Sequence, residues 1–462
     1  FLYQQAVELD GQNMTALRGL ARLFTSMEKW QDLIDVMEME FSVTMIDKEK
    51  IDFLLRIAQM LEREFLKPAD AVGKYEQVLS IDPSREEALA NLERIHRQEK
   101  KWEDLVEVLG RHVMVAESDD RKVELLLAQG KLLIEEIEDP ARGIEAFRHV
   151  LDLDESHPAA LDVLARLYEH TEMFGDALEV LERLLKVTLE PTTKVELLYR
   201  MGVILDQRLG KRDEAVDRFR EAVQIDPGHL ESLGALRTIY IDTSEWGLAE
   251  QILDTEQQNT TVPTQRSELL YARGRILREY LQREDEAIAC FQEAMKLDPE
   301  NEEAAEPLVT HYLVNNLYAE AEPLIDMLLK KWAKKPGDEL LPYYLSLAHV
   351  CDALGNDEKA LRAFKSAFEL DAGNLEALKG MALILYKLKQ WDKAFKYYQM
   401  ILVQHIDSQK DDEKVDIYYH LGNIKLNVNE PRKALNMYEK ALGIDGHHRP
   451  TLEALIALFE KQ

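Results

Sequence analysis

DEAIACFQEAMKLDP, residues 285–299, is the stretch whose reading decides the fold. It recurs at 213–227, with Ala215, Phe219, Ala222, Asp226 and Pro227 in the same places, and at 358–371, with Ala360, Phe364, Ala367 and Asp371. The closing aspartates are Asp10, Asp82, Asp154, Asp226, Asp298, Asp371 and Asp445, spaced by 72, 72, 72, 72, 73 and 74 residues. A fixed period of this length predicts a stacked array in place of one closed core.

The period has a second beat. Twenty residues after each aspartate stands an aromatic (Trp30, Trp102, Phe174, Trp246, Tyr318, Trp391), and three further on Leu33, Leu105, Ala177, Ala249, Ala321 or Ala394. Seven residues before each aspartate comes Tyr3, Tyr75, Phe147, Phe219, Phe291, Phe364 or Tyr438. Four residues earlier lies a small-residue column: Ala71, Gly143, Ala215, Ala287, Ala360 and Ala434. Each block therefore holds two related units. The small column marks close helix approach and the aromatic column the filler between layers.

Ala-x3-Phe-x2-Ala-x4-Pro, as in Ala215-Phe219-Ala222-Pro227 and Ala287-Phe291-Ala294-Pro299, resembles the second helix of a tetratricopeptide repeat (TPR). Leu421-Gly422 and Met201-Gly202, with Gly130 and Gly274 in the same column, are similar to the Leu-Gly of its first helix. The resemblance covers essentially the whole chain. It implies an all-α, right-handed α-solenoid over residues 1–462, twelve helix pairs in six blocks (10–81, 82–153, 154–225, 226–297, 298–370, 371–444) with partial repeats at 1–9 and 445–462. It speaks to fold far more than to function. The chain departs from the pattern at Glu93, Arg237 and Val309, where first repeats would carry a small residue, and second repeats run about one residue long, Gly130 to Gly143 being 13.

Composition narrows the function. Lys plus Arg number 57 and Asp plus Glu 87, a net charge of −30. Phosphate backbones are bound by Lys and Arg releasing counterions, so nucleic acid is disfavoured and cationic partners are favoured. Cys290 and Cys351 suggest neither a disulfide framework nor a metal site. No stretch approaches about 18 apolar residues, so no direct membrane insertion is expected. The chain opens in phase with the second half of a repeat and closes on a lone first helix, 451–462, as a fragment of a longer array would; the compartment stays open.

Along the chain, spacings of three and four give each segment one apolar face, as in Leu17, Leu20, Leu23 and Phe24. Pro68, Pro140 and Pro431 each stand fourteen residues before their aspartate and predict helix starts, where proline loses no hydrogen bond. Longer polar links are expected at Glu117–Arg121, Leu189–Thr193, Gln257–Gln265 and His405–Glu413. Pro307, Pro323 and Pro342 fall inside helical patterns, and block five is expected to change the pitch of the array. Its helix before Pro336-Gly337 is expected to run long, ending in the basic run Lys330 to Lys335 around Trp332, which reads as helix-end charge more readily than as an anion-binding patch. Asn13-Met-Thr15 and Asn259-Thr-Thr261 match the glycosylation pattern, as short motifs do by chance.

Little here carries chemistry. There is no glycine-rich phosphate loop, no zinc spacing and no calcium loop, and His447-His448 is a lone loop pair, so neither enzyme activity nor a cofactor is expected. The candidate is a row on the first helices, which line the concave groove of TPR proteins. Six residues before the small position stand Asp52, Glu124, Glu196, Glu268 and Asp416; three before it stand Leu55, Leu127, Tyr199, Tyr271 and Tyr419. Such a row could hold a basic or extended peptide through charge-assisted bonds and ring contacts. Acids in a first helical turn also simply favour the helix dipole. Asn423 matches one residue of the family's carboxylate clamp, but Tyr419 replaces a lysine, and Gln59, Lys131, Val203, Arg275 and His349 replace the asparagine elsewhere, so the clamp is not expected. The expected function is a non-catalytic protein-interaction scaffold. The alternatives are a regulatory arm of an enzyme lying outside this stretch, or a spacer that self-associates.

Overall fold

The computed structural model describes residues 2–406 and 409–460. The polar link expected at 405–413 and the helix expected at 451–462 therefore fall partly outside the described residues. Within them the chain forms twenty-six α-helices, one π-helical turn and no strand. Its contacts divide it into two compact units, Phe1–Ser232 and Leu233–Gln462.

In the first unit the helix Leu2–Leu9 precedes six helical hairpins, from Met14–Ser26 with Trp30–Val43 to Pro191–Val203 with Arg212–Ile225. Six more, the first of them opening on the helix Leu230–Asp242 in which the division falls, run from Leu230–Asp242 with Trp246–Asn259 to Asp411–Asn427 with Pro431–Ile444, before the helix Arg449–Glu460. The second helices start where the sequence signals them. Trp30, Trp102, Phe174, Trp246, Tyr318 and Trp391 are each the first residue of one, and Pro68, Pro140 and Pro431 each occupy the first turn of another. Two residues before every such start the backbone is left-handed, at twelve positions among those described; only Gly210 and Gly355 are glycines.

The recurring aspartate is a turn residue. Asp82, Asp154, Asp226, Asp298, Asp371 and Asp445 each follow a second helix in extended conformation. Each Oδ1 accepts the amide two residues on, at 2.9–3.1 Å, and each carbonyl accepts the amide three residues on. That third residue then precedes the next helix; Asn13, His157, Asn301 and Asn374 cap it with their own side chains.

The core of each unit is built from the columns. Tyr75, Phe147, Phe219, Phe291, Phe364 and Tyr438 are among the largest fully buried side chains, and Ala71, Ala215, Ala287, Ala360 and Ala434 are buried beside them. One cluster of the first unit joins Phe147, Leu164, Leu181 and Met201; one of the second joins Ile325, Trp332, Ala348 and Phe364.

The links are shorter than the sequence suggests. Only three residues separate Trp102–Val115 from Asp119–Glu135, Phe174–Val187 from Pro191–Val203, and Trp246–Asn259 from Pro263–Glu279. The polar residues expected to form links continue the helices, because Ser118 and the prolines 191 and 263 start the next helix early. The extra residue of the second repeats appears in blocks one to four only. There a wide turn bonds Lys67, Asp139, Lys211 and Arg283 to carbonyls six residues back, whereas Asn356 and Glu430 reach five back.

Block five is corrected in one respect. The helix Tyr318–Lys331 has 14 residues, like its counterparts, and stops at Trp332. Trp332 is 8% exposed, donates its indole N–H to Glu302 and packs edge-on against Tyr343, with Lys335 Nζ 3.6 Å from its ring centre. The ring is therefore a core residue. Pro307, Pro323 and Pro342 do lie inside helices.

Candidate functional site

Asp52, Glu124, Glu196, Glu268 and Asp416 are each the sixth residue of a helix, in Asp47–Arg63, Asp119–Glu135, Pro191–Val203, Pro263–Glu279 and Asp411–Asn427. The helix-dipole explanation placed them in a first turn; they lie in the second, and the first turns carry other acids in three of the five helices, such as Asp47 and Glu49 or Asp119 and Asp120, and none in Pro191–Val203 and Pro263–Glu279. The dipole acts within about one turn, so it does not account for this row. All five are exposed. Glu124 pairs with Arg121 at 2.7 Å, and Asp416 lies 3.5 Å from His448 Nε2. Asp52, Glu196 and Glu268 make no ion pair or hydrogen bond among the described residues. In block five the sixth position is Pro342, so the row is interrupted there.

Tyr199, Tyr271 and Tyr419 are half-buried one turn further on. Their rings lean on Phe219, Phe291 and Tyr438 with centroids 5.9, 6.0 and 6.4 Å apart. Leu55 is buried and Leu127 half-buried at the same register. Asn423 is occupied from within: it accepts the Tyr438 hydroxyl at 2.6 Å and donates to the Tyr386 hydroxyl at 3.1 Å.

The departures at Glu93 and Arg237 have a structural role. Each lies eleven residues after its aspartate and faces the residue thirty after it on the second helix. Glu93 meets Nδ1 of the buried His112, and Arg237 Nε lies 2.8 Å from Oε2 of Glu256, which is 7% exposed. Burial pushes the Glu256 carboxyl up from its ordinary range, against the pull of Arg237. Val309 is buried against an apolar partner layer.

The same layer in block one reads Ala21 and Glu40. Glu40 is 2% exposed and its Oε1 has no hydrogen-bond partner. Burial raises its carboxyl, more than the nearby Arg18 and Arg56 lower it. It lines a cavity of 510 Å³ with Arg18, Arg22, Asp52 and Arg56. Sequence reasoning missed this residue. Its signal was an acid, shared with Glu256 in block four, in a column that holds His112 in block two and Leu184, Leu328 and Ile401 in blocks three, five and six.

Both cysteines are buried, and burial pushes the Cys351 thiol up to about 11. Among the described residues no cluster of three or more metal-ligating side chains occurs, and no helix is long and apolar enough to cross a membrane.

Among solved structures, the chain is similar to YrrB, described as a TPR protein with an unusual peptide-binding site (22% identity over 41% of this chain and 91% of that one, TM-score 0.33). It is also similar to the C-terminal part of a TPR repeat-containing protein from Cytophaga hutchinsonii (20% identity, 55% and 99% covered, TM-score 0.33) and to yeast Tom70 (16% identity, 96% and 95% covered, TM-score 0.27). No curated protein matches the chain. Tetratricopeptide repeat family models match residues 88–124, 160–195, 196–229, 267–301, 341–374 and 374–445, together more than half of the sequence. The chain belongs to the tetratricopeptide repeat family.

Proposed function

We propose that this TPR protein is a non-catalytic protein-interaction scaffold whose partner is a basic, extended peptide segment held along the row of first-helix carboxylates. The observation that carries the reading is the placement of those acids. Five of them occupy the same sixth position of their helices, all exposed, and three are without a partner of their own. The half-buried rings of Tyr199, Tyr271 and Tyr419 stand beside them on the same helical faces and would pack against the peptide's apolar groups. The net charge of −30 favours encounter with a cationic partner. Asn423 enters this reading only as a support for Tyr438, since both ends of its amide are engaged.

Fluorescence anisotropy with extended peptides of matched length and differing charge tests it. The cationic peptide should bind most tightly and weaken with salt. Equal binding of neutral and cationic peptides would sink the charge-based reading.

A further inference from the structure

The buried layer between the two helices of each first hairpin suggests a ligand for block one. In block four this layer is closed by an arginine. Arg237 reaches across to Glu256, a carboxylate that the fold has taken out of water, and meets it as an ion pair at 2.8 Å without hydrogen-bond geometry between Nε and Oε2. Block one keeps the carboxylate, as Glu40, at the equivalent position, thirty residues after its aspartate. At the position of Arg237 it has Ala21. In block one Ala21 and Glu40 both line a cavity of 510 Å³, with Asp52 also in its wall. Glu40 is a buried part of its wall, 2% exposed, with Oε1 unbonded. Arg18 and Arg56 act on Glu40 through space, yet its buried Oε1 is left without a hydrogen bond, which is costly, and a charge-assisted bond from an incoming cation would offset that cost.

We propose that the cavity between Ala21 and Glu40 is a slot for one arginine side chain of the bound peptide, its guanidinium taking the place that Arg237 takes beside Glu256.

The walls fit that occupant. Phe53 and Thr25 line the cavity and offer surface for the methylene stem. Over its whole lining the cavity carries three carboxylates, Glu40 among them, and three guanidinium groups, and Arg18 is already drawn to Glu49 at 3.3 Å. Charge over the lining is balanced only with Glu40 included, and Glu40 is the carboxylate of the lining with a buried oxygen left unbonded, so it selects the ligand. A guanidinium is more weakly hydrated than an ammonium and loses less on entering a closed slot, so arginine is preferred to lysine. The slot rests on the reading of the carboxylate row as a peptide site, and it adds to that reading which residue the peptide must carry and where.

The test uses the whole chain and a five-residue probe with blocked ends, Gly-Gly-Arg-Gly-Gly, followed by calorimetric titration, with lysine and glutamine versions and free arginine as further arms. The arginine peptide should bind the wild-type chain more tightly than the lysine and glutamine peptides and more tightly than free arginine. Glu40→Gln should weaken it by about tenfold or more, as loss of a buried charge partner does. Ala21→Arg, which supplies the guanidinium from within as block four does, should abolish binding and melt no lower than wild type. Unchanged affinity in Glu40→Gln, equal affinity for all three peptides, or binding of free arginine as tight as that of the peptide would overturn the proposal. The glutamine variants of Glu124, Glu196 and Glu268 separate the two readings. If they lose the extended cationic peptide while Glu40→Gln changes nothing, the slot fails and the row stands. If the arginine peptide depends on Glu40 while those variants change nothing, the slot stands and the row fails.

Discussion

A β-carbon built on Gly202 would lie 2.4 Å from Cε1 of Phe219. The first helix of that hairpin approaches the second closely enough that the buried ring rests on its backbone. Gly130 over Phe147, Gly274 over Phe291 and Gly422 over Tyr438 repeat the arrangement at 2.4–2.6 Å. Gly202→Ala should therefore destabilise the protein by about 1–3 kcal/mol through overpacking, despite alanine's better helix propensity. Gly73 lies inside the helix Pro68–Ile81 with nothing within 4 Å of its would-be β-carbon, so Gly73→Ala should stabilise by about 0.5–1 kcal/mol. Urea titrations of the two variants should move in opposite directions; the same sign for both would contradict the packing account.

The hairpin turns give a second prediction. Glu138 and Glu172 hold left-handed backbone, at φ 58° for each, where a β-carbon is strained. Gly210 holds the same place without it. Glu172→Gly should raise stability by about 1 kcal/mol and Gly210→Ala should lower it by a similar amount, as thermal melts would show.

Much of this was legible in the sequence because periodicity reports burial. The aromatic column from Tyr75 to Tyr438 and the small column from Ala71 to Ala434 could be read before any coordinates, since only close packing repeats a bulky residue and a small one at fixed spacing. Helix ends were less legible. The polar residues near Gln257 look like a loop, yet they finish one helix and Pro263 at once starts the next, so where the chain bends depends on caps more than on polarity. Trp332 looked available because lysines surround it, but its indole turns inward to Glu302. Asp82 and its equivalents were legible as markers and not as turn residues, because an Asx turn is defined by a side chain folding back on its own backbone. Glu40 escaped notice because whether an acid in a column of mixed polarity is buried depends on its neighbours across the hairpin.

The protonation of Glu40 carries a pH prediction. Its carboxyl is raised in the fold, so folding favours the protonated form. The stability that form confers is present below the ordinary glutamate value, about pH 4, and is lost as pH rises through the raised one. Above the raised value the ionised group is therefore a liability in the unliganded chain. Glu40→Gln should melt higher than wild type at pH 7, and the gap should close on acidification to about pH 3. A variant that melts lower at pH 7 would show that Glu40 already has a partner.

The measurement that reaches the central claim most directly is capture of partners from native lysate at low and high salt, with the wild-type chain beside a variant carrying Glu124→Gln, Glu196→Gln and Glu268→Gln. The account predicts a discrete partner with a basic segment that is retained at low salt, released at high salt and lost by the variant even at low salt. Equal retention of that partner by both chains at both salt concentrations would contradict the claim that the carboxylate row holds it.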